Sequence, residues 1–177
     1  DKQGGFWFSD HGCGTNEGRK FGALYYAKID GSHVSRQRDH LISPNGVGLS
    51  PDEKTVYLAD TQLGRLWAFD VIEPGVLAPA AGFAAGRSVA NLPGVQFLDS
   101  LAVEASGKVC VATILNGGIT AFDPSGTTEH YQVPDLIVTN ICFGGSDMMT
   151  AWITASSTGK LYKTTWPRAG LKLNINA

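Results

Sequence analysis

Three oxygen-bearing side chains stand at the heads of three similar short apolar runs: Asn45 in PNGVGLS, Asp99 in LDSLAVE and Asn140 in TNICFGG. Asn and Asp offer hard oxygen donors, the kind that a divalent cation such as calcium or magnesium takes. The same residues also cap turns ahead of strands, so convergence in space is what would make them a site. A second pair, Asp10 and His11, ends the GFWFS run and is expected to reach the same region and contact substrate. Asp60, at the parallel position in YLADT, reads as a turn residue. His33, His40 and His130 fall in loop or outer-strand contexts and read as surface groups.

The elements that must position these residues repeat along the chain. Four segments share one order: strand, polar turn, strand, glycine turn, strand. Second strands are GFWFSD (5–10), TVYLAD (55–60), KVCVAT (108–113) and TAWITA (150–155). Third strands follow Gly22, Gly64, Gly117 and Gly159, spaced by 42, 53 and 42 residues, the period of a four-stranded propeller blade. First strands are GVGLS (46–50), SLAVE (100–104) and ICFGG (141–145). Weaker outer strands fit Val34–Arg38, Ser88–Leu92 and Thr128–Val133. Ser50-Pro51-Asp52-Glu53 has the composition of a type I turn, and Gln62-Leu63-Gly64 supplies the next reversal. Val56, Leu58, Leu66 and Ala68 alternate at period two, as in half-buried strands. No sustained 3.6-residue period appears, so helix should be nearly absent. The fold class is all-β: a propeller of about four blades or part-blades, whose innermost strands line a channel and bring Asn45, Asp99 and Asn140 to one mouth.

The opening Asp1-Lys2-Gln3-Gly4-Gly5 matches the turns SPDEK and EASGK. Residues 1–177 are therefore expected to be the C-terminal part of one larger propeller domain, with the N-terminal blades absent. Open blades leave unpaired edges, so the missing portion, supplied as a separate chain, is an expected partner.

Composition narrows the function. The chain has 177 residues, a net charge of −2 and 43% hydrophobic residues. Near-neutral charge argues against nucleic acid or an anionic membrane as partner, and no apolar run is long enough to span a bilayer. Cys13, Cys110 and Cys142 are odd in number and lack metal or redox spacing. Cys110 and Cys142 fall in apolar strands and are expected to be buried thiols, which fits a reducing, cytoplasmic compartment. The run Gly12–Lys20 lacks a phosphate-loop pattern and joins two strands; it reads as a long hairpin loop over the channel, of a length that suits a lid. Trp7, Trp67 and Trp152 are expected to pack between blades, with Trp166 outside the strands.

The motifs GFWFSDHG, GALYYAKIDGS, PNGVGLSPDEKTVYLADT, DSLAVEASGKVCVAT, TNICFGG and WPRAGLKLN follow one another along the whole chain. In this order they resemble the SMP-30/gluconolactonase/LRE-like family of six-bladed propellers. That resemblance implies a divalent metal at the channel mouth, held by a Glu, an Asn and an Asp, of which the latter two match Asn45 and Asp99. The Glu, and an Asn that contacts substrate, have no counterpart here, so the chain alone is expected to be inactive. The implied chemistry is hydrolysis of a sugar lactone, part of carbohydrate metabolism. Calcium leads as the metal, with zinc, manganese and magnesium as alternatives. Asp99 would be both ligand and catalytic base, with Asn140, Asp10 and His11 facing substrate. Two other readings stand beside it: a non-catalytic propeller that binds a small molecule or protein at the mouth, and an organophosphate-hydrolysing relative.

Overall fold

A computed structural model describes residues 1–15 and 17–176. The first sheet contains β1 (Gly5–Asp10), followed by a two-stranded ribbon of β2 (Cys13–Thr15) and β3 (Gly18–Lys20), then β4 (Gly22–Lys28) and β5 (Val34–Leu41), in the order β1-β4-β5. The second is ordered β6 (Pro44–Leu49), β7 (Thr55–Asp60), β8 (Arg65–Glu73) and, after the short β9 (Val76–Leu77), β10 (Arg87–Asn91). The third is β11 (Phe97–Val103), β12 (Val109–Ile114), β13 (Gly118–Phe122) and β14 (Thr128–Gln132). The fourth is β15 (Val138–Gly144), β16 (Thr150–Ala155) and β17 (Lys160–Thr165). All neighbours pair antiparallel, and a short 3-10 turn covers Asn174–Asn176. These are four successive blades of a β-propeller.

The longer spacing between Gly64 and Gly117 has a local cause. In the second blade the outer strand is split into β9 and β10, and the loop between them holds the extra residues. Arg38 of β5 pins both ends of that loop, donating to the carbonyls of Ala78 and Ala85. Its guanidinium also lies 5.5 Å from the Phe69 ring centroid.

The alternation expected for half-buried strands serves two buried faces instead. Val56 and Leu58 pack with Leu24, Leu41 and Trp67 between the first two blades. Tyr57 and Ala59, on the other face of the same strand, pack with Leu98, Val111 and Phe122 of the third. A third core joins Cys110, Ile119, Ile141, Ile153 and Trp166. The second and third sheets are sandwiched between neighbours, so period two persists while both sides leave water. Two side chains depart from expectation for the same reason. Cys142 is exposed, because it lies on the opposite side of β15 from Ile141, and that side has no blade against it. Trp152 is half-buried and outside the cores, whereas Trp166 is 2% exposed and inside one. Cys110 is buried as expected, and its thiol is pushed up by burial.

After β17 the chain turns under the sheets. Gly170 N–H donates to the Met148 carbonyl (2.9 Å), Ala105 N–H to that of Ala169 (2.9 Å), and Leu171 N–H to that of Val103 (2.8 Å). Asn174 Nδ2 then reaches Glu53 Oε1 at 2.7 Å. This strap ties the turns of three blades at the end away from Asn45 and Asp99. Among the described residues no helix is long and apolar enough to cross a membrane.

Candidate functional site

The three innermost strands share a defect at the same end. Pairing of β6 with β7 slips between Pro44 and Val47, that of β11 with β12 between Leu98 and Leu101, and that of β15 with β16 between Val138 and Asn140. Each slip is a β-bulge, which frees a side chain from the ladder and re-aims it, as bulges beside functional sites do. The freed residues are Asn45-Gly46 in the second blade and Asp99-Ser100 in the third. Counted from the paired residues on both sides, Thr139 holds the place of Asn45 and Asp99 in the fourth blade. Asn140 sits one position on, where the other strands have Gly46 and Ser100. A count by motif alone points to Asn140; the register moves the equivalence by one residue.

Asn45 and Asp99 are brought together. Gly46 makes this possible: a Cβ there would stand 2.7 Å from the Asp99 carbonyl oxygen and 2.7 Å from the Leu101 nitrogen. With no side chain, β6 lies directly against the β11 backbone. The Asn45 carbonyl accepts a hydrogen bond from Ser9 Oγ (2.6 Å), and its Nδ2 donates to Thr61 Oγ1 (3.2 Å). Burial pushes the Asp99 carboxyl above the usual carboxylate range, opposed by the Asn45 carboxamide, the Ser100 N–H and the positive form of His11. No lysine or arginine pairs with Asp99 among the described residues.

The remaining expected residues stand at the rim. His11 is exposed, close enough for its charge to act on Asp99. Asp10 is exposed and turns its Oδ1 to the Gly12 N–H at 3.0 Å, a turn contact. Asn140 is exposed and accepts from its neighbour Ile141 N–H at 2.8 Å. The β2–β3 ribbon is tethered through Arg19 Nε, which donates to the Ile42 carbonyl three residues ahead of Asn45. Asn16 lies outside the described residues. Concavities of about 270 and 400 Å³ lie elsewhere, the first lined by Trp7, Leu49 and Glu53 and the second by Gln132, Asp135 and Thr158.

Two other acids are fully buried: Asp60, whose Oδ2 has no partner among the described residues, and Glu104, whose two oxygens are both taken. Asp60 is fully buried and accepts from Ser43 N–H and Oγ (3.2 and 3.0 Å), holding the loop that leads to Asn45. Glu104, absent from the expectations above, is fully buried just after the far end of the strand that carries Asp99. It accepts from Arg168 Nε (2.6 Å), Trp166 Nε1 (2.8 Å), Ser106 Oγ (2.8 Å) and Cys110 Sγ (3.2 Å). A carboxylate closing an apolar strand in SLAVE was the available sequence signal.

Asn45 and Asp99 suit a hard divalent cation, being oxygen donors only, adjacent and half-buried. Among the described residues no three His, Cys, Asp or Glu side chains gather as a metal shell. Two donors are fewer than the about six to eight oxygens that calcium takes.

Fold and site together define a β-propeller with a cation-compatible channel mouth. Residues 1–157 match the family model described as SMP-30/Gluconolactonase/LRE-like region, and the chain belongs to that family. It is 31% identical over 132 residues to lactonase drp35 of Staphylococcus saprophyticus, covering 72% of this chain and 38% of that protein. It is 26% identical over 148 residues to pentonolactonase XacC of Haloferax volcanii, covering 81% and 48%. A calcium-binding protein, regucalcin, from Agrobacterium tumefaciens superposes with a TM-score of 0.75 at 19% identity, covering 96% of this chain and 59% of that one. The chain thus spans about half the length of the curated relatives it matches.

Proposed function

We propose that the full-length protein carrying this chain is a metal-dependent hydrolase that opens a sugar lactone, with Asn45 and Asp99 as two of the metal's ligands. One observation carries this reading. A half-buried carboxylate without a cationic partner lies beside a carboxamide where bulges of two inner strands meet. The names lactonase and pentonolactonase among the relatives support a cyclic ester as substrate. The oxygen donors, and the calcium-binding regucalcin that shares the fold, support calcium.

A bound divalent cation supplies Lewis acidity to a carbonyl and to water. The chain's own residues do the rest. Asp99 holds one ligand position and takes the proton from the attacking water. Asn45 adds a neutral oxygen, leaving the site's net charge to its carboxylates. His11, Asp10 and Asn140 at the rim face the substrate hydroxyls. The β2–β3 ribbon, tied to the loop ahead of Asn45, limits access of bulk water. Residues 1–177 form the C-terminal part of one six-bladed domain, and the remaining ligands come from blades outside this chain.

Chelation should abolish hydrolysis of an aldonolactone by the full-length protein, and calcium should restore it. Asp99→Asn keeps the size and removes the base, and should lower turnover by about 10²-fold or more. Metal-independent hydrolysis, or D99N activity within a few-fold of wild type, would refute the reading.

A further inference from the structure

We propose that Thr61 is a positioning residue that turns the Asn45 carboxamide so that its oxygen, and not its nitrogen, is free for a cation. This role rests on the metal reading above. A carboxamide has an acceptor end and a donor end of nearly equal size, and a cation is attracted by one and repelled by the other. A partner that fixes the flip beforehand therefore pre-organises Asn45 as a ligand. In the structure its Nδ2 donates to Thr61 Oγ1 at 3.2 Å and the carboxamide also donates to the Asp99 carboxylate, an acceptor only, so the nitrogen is committed on both sides and the oxygen is not.

Both partners of that hydrogen bond are themselves held. The Thr61 N–H donates to the Ser43 carbonyl at 2.9 Å, which ties that residue's backbone to the segment leading into β6. Ser9 Oγ fixes the Asn45 carbonyl at 2.6 Å from the first blade. Gly46 sets the approach to β11.

The three central blades supply an internal control. Pro44 pairs with Asp60, Leu98 with Thr113 and Val138 with Ala155, so Thr61, Ile114 and Ser156 occupy one equivalent place. Where the facing residue is a carboxamide or a hydroxyl, that place carries a hydroxyl: Thr61 for Asn45, and Ser156 at 2.9 Å from Thr139. Where the facing residue is Asp99, it carries Ile114, with no hydroxyl. A carboxylate accepts through both oxygens and has no wrong flip, so it needs no orienting partner.

The test compares Thr61→Val, which keeps shape without the hydroxyl, with Thr61→Ser, which keeps the hydroxyl, in the full-length protein. In the metal-free state, hydrogen exchange of the Asn45 side-chain amide by NMR should be slow in wild type and T61S and faster in T61V. Calcium titration by calorimetry should show T61V weakened about 10-fold or more and T61S near wild type, the size expected when a partner of a metal ligand is lost. If T61V does not fold, Thr61→Ala is the second hydroxyl-free variant for both measurements. Wild-type calcium affinity in T61V, or unchanged Asn45 exchange, would overturn the role of Thr61 and leave the metal reading intact. A wild-type protein with a protected Asn45 amide that takes up no calcium, manganese or zinc would instead overturn the metal reading, and this role with it.

Discussion

Asp99 near the start of β11 and Glu104 just after its end are a half-buried and a fully buried acid with opposite surroundings. At one end Glu104 has four side-chain donors, including the Arg168 guanidinium. Burial pushes its carboxyl up, but those four donors outweigh it and hold it below the usual range. At the other end burial wins for Asp99, whose carboxyl is raised. A buried charge that is fully paired stabilises the fold around it, whereas one left short of partners costs stability and is available to something else. The difference separates a fully partnered acid from one left short of partners, five residues apart in sequence.

That contrast can be broken most forcefully at Glu104. Glu104→Ala removes the acceptor for Arg168 and Trp166 and should cost about 3–5 kcal/mol in urea unfolding; a loss below about 1 kcal/mol would mean the network does not hold the strap. Gly46→Ala drives a methyl into the backbone of β11, where no flexible side chain can yield. It should cost about 1–3 kcal/mol and weaken calcium binding together with stability.

Asp99 gives the smallest effect and the opposite sign. Its raised folded pKa means the native state holds the proton more tightly than the unfolded chain, near pKa 3.9. The stability cost is therefore complete above the folded pKa and is relieved as pH falls towards the unfolded value. Glu104 runs the other way: its contribution is complete above the unfolded value of about 4.3 and is lost as pH falls through its lowered folded pKa. In thermal melts of the metal-free protein at pH 7, D99N should raise the midpoint and E104Q should lower it. A D99N midpoint below wild type would contradict the assignment of Asp99.

Much of the fold was legible because each blade repeats the same punctuation. TVYLAD and TAWITA are strands with the bounds read from sequence, and Gly64, Gly117 and Gly159 hold positive φ at the turns after them. Glu53 N–H closes the turn on the Ser50 carbonyl at 2.9 Å, as SPDE required. What sequence could not show was the bulge. One extra residue in each inner strand leaves the motif intact yet changes which side chain takes the lead position, and so Thr139 was passed over for Asn140. The roles of Thr61, Ser9 and Glu104 were also hard to read, because their contacts join residues 16 to 64 apart in sequence. The burial of Trp166 and the exposure of Cys142 depend on which face of the last sheet has a neighbour, a fact of packing and not of pattern.

The most direct measurement is a carbon-13 carboxyl NMR titration of the metal-free full-length protein, repeated with calcium. Asp99 should titrate above the ordinary aspartate value and Glu104 below the ordinary glutamate value, and calcium should move the Asp99 signal while leaving Glu104 in place. An Asp99 that titrates at or below its ordinary value and ignores calcium would contradict the division of roles along β11.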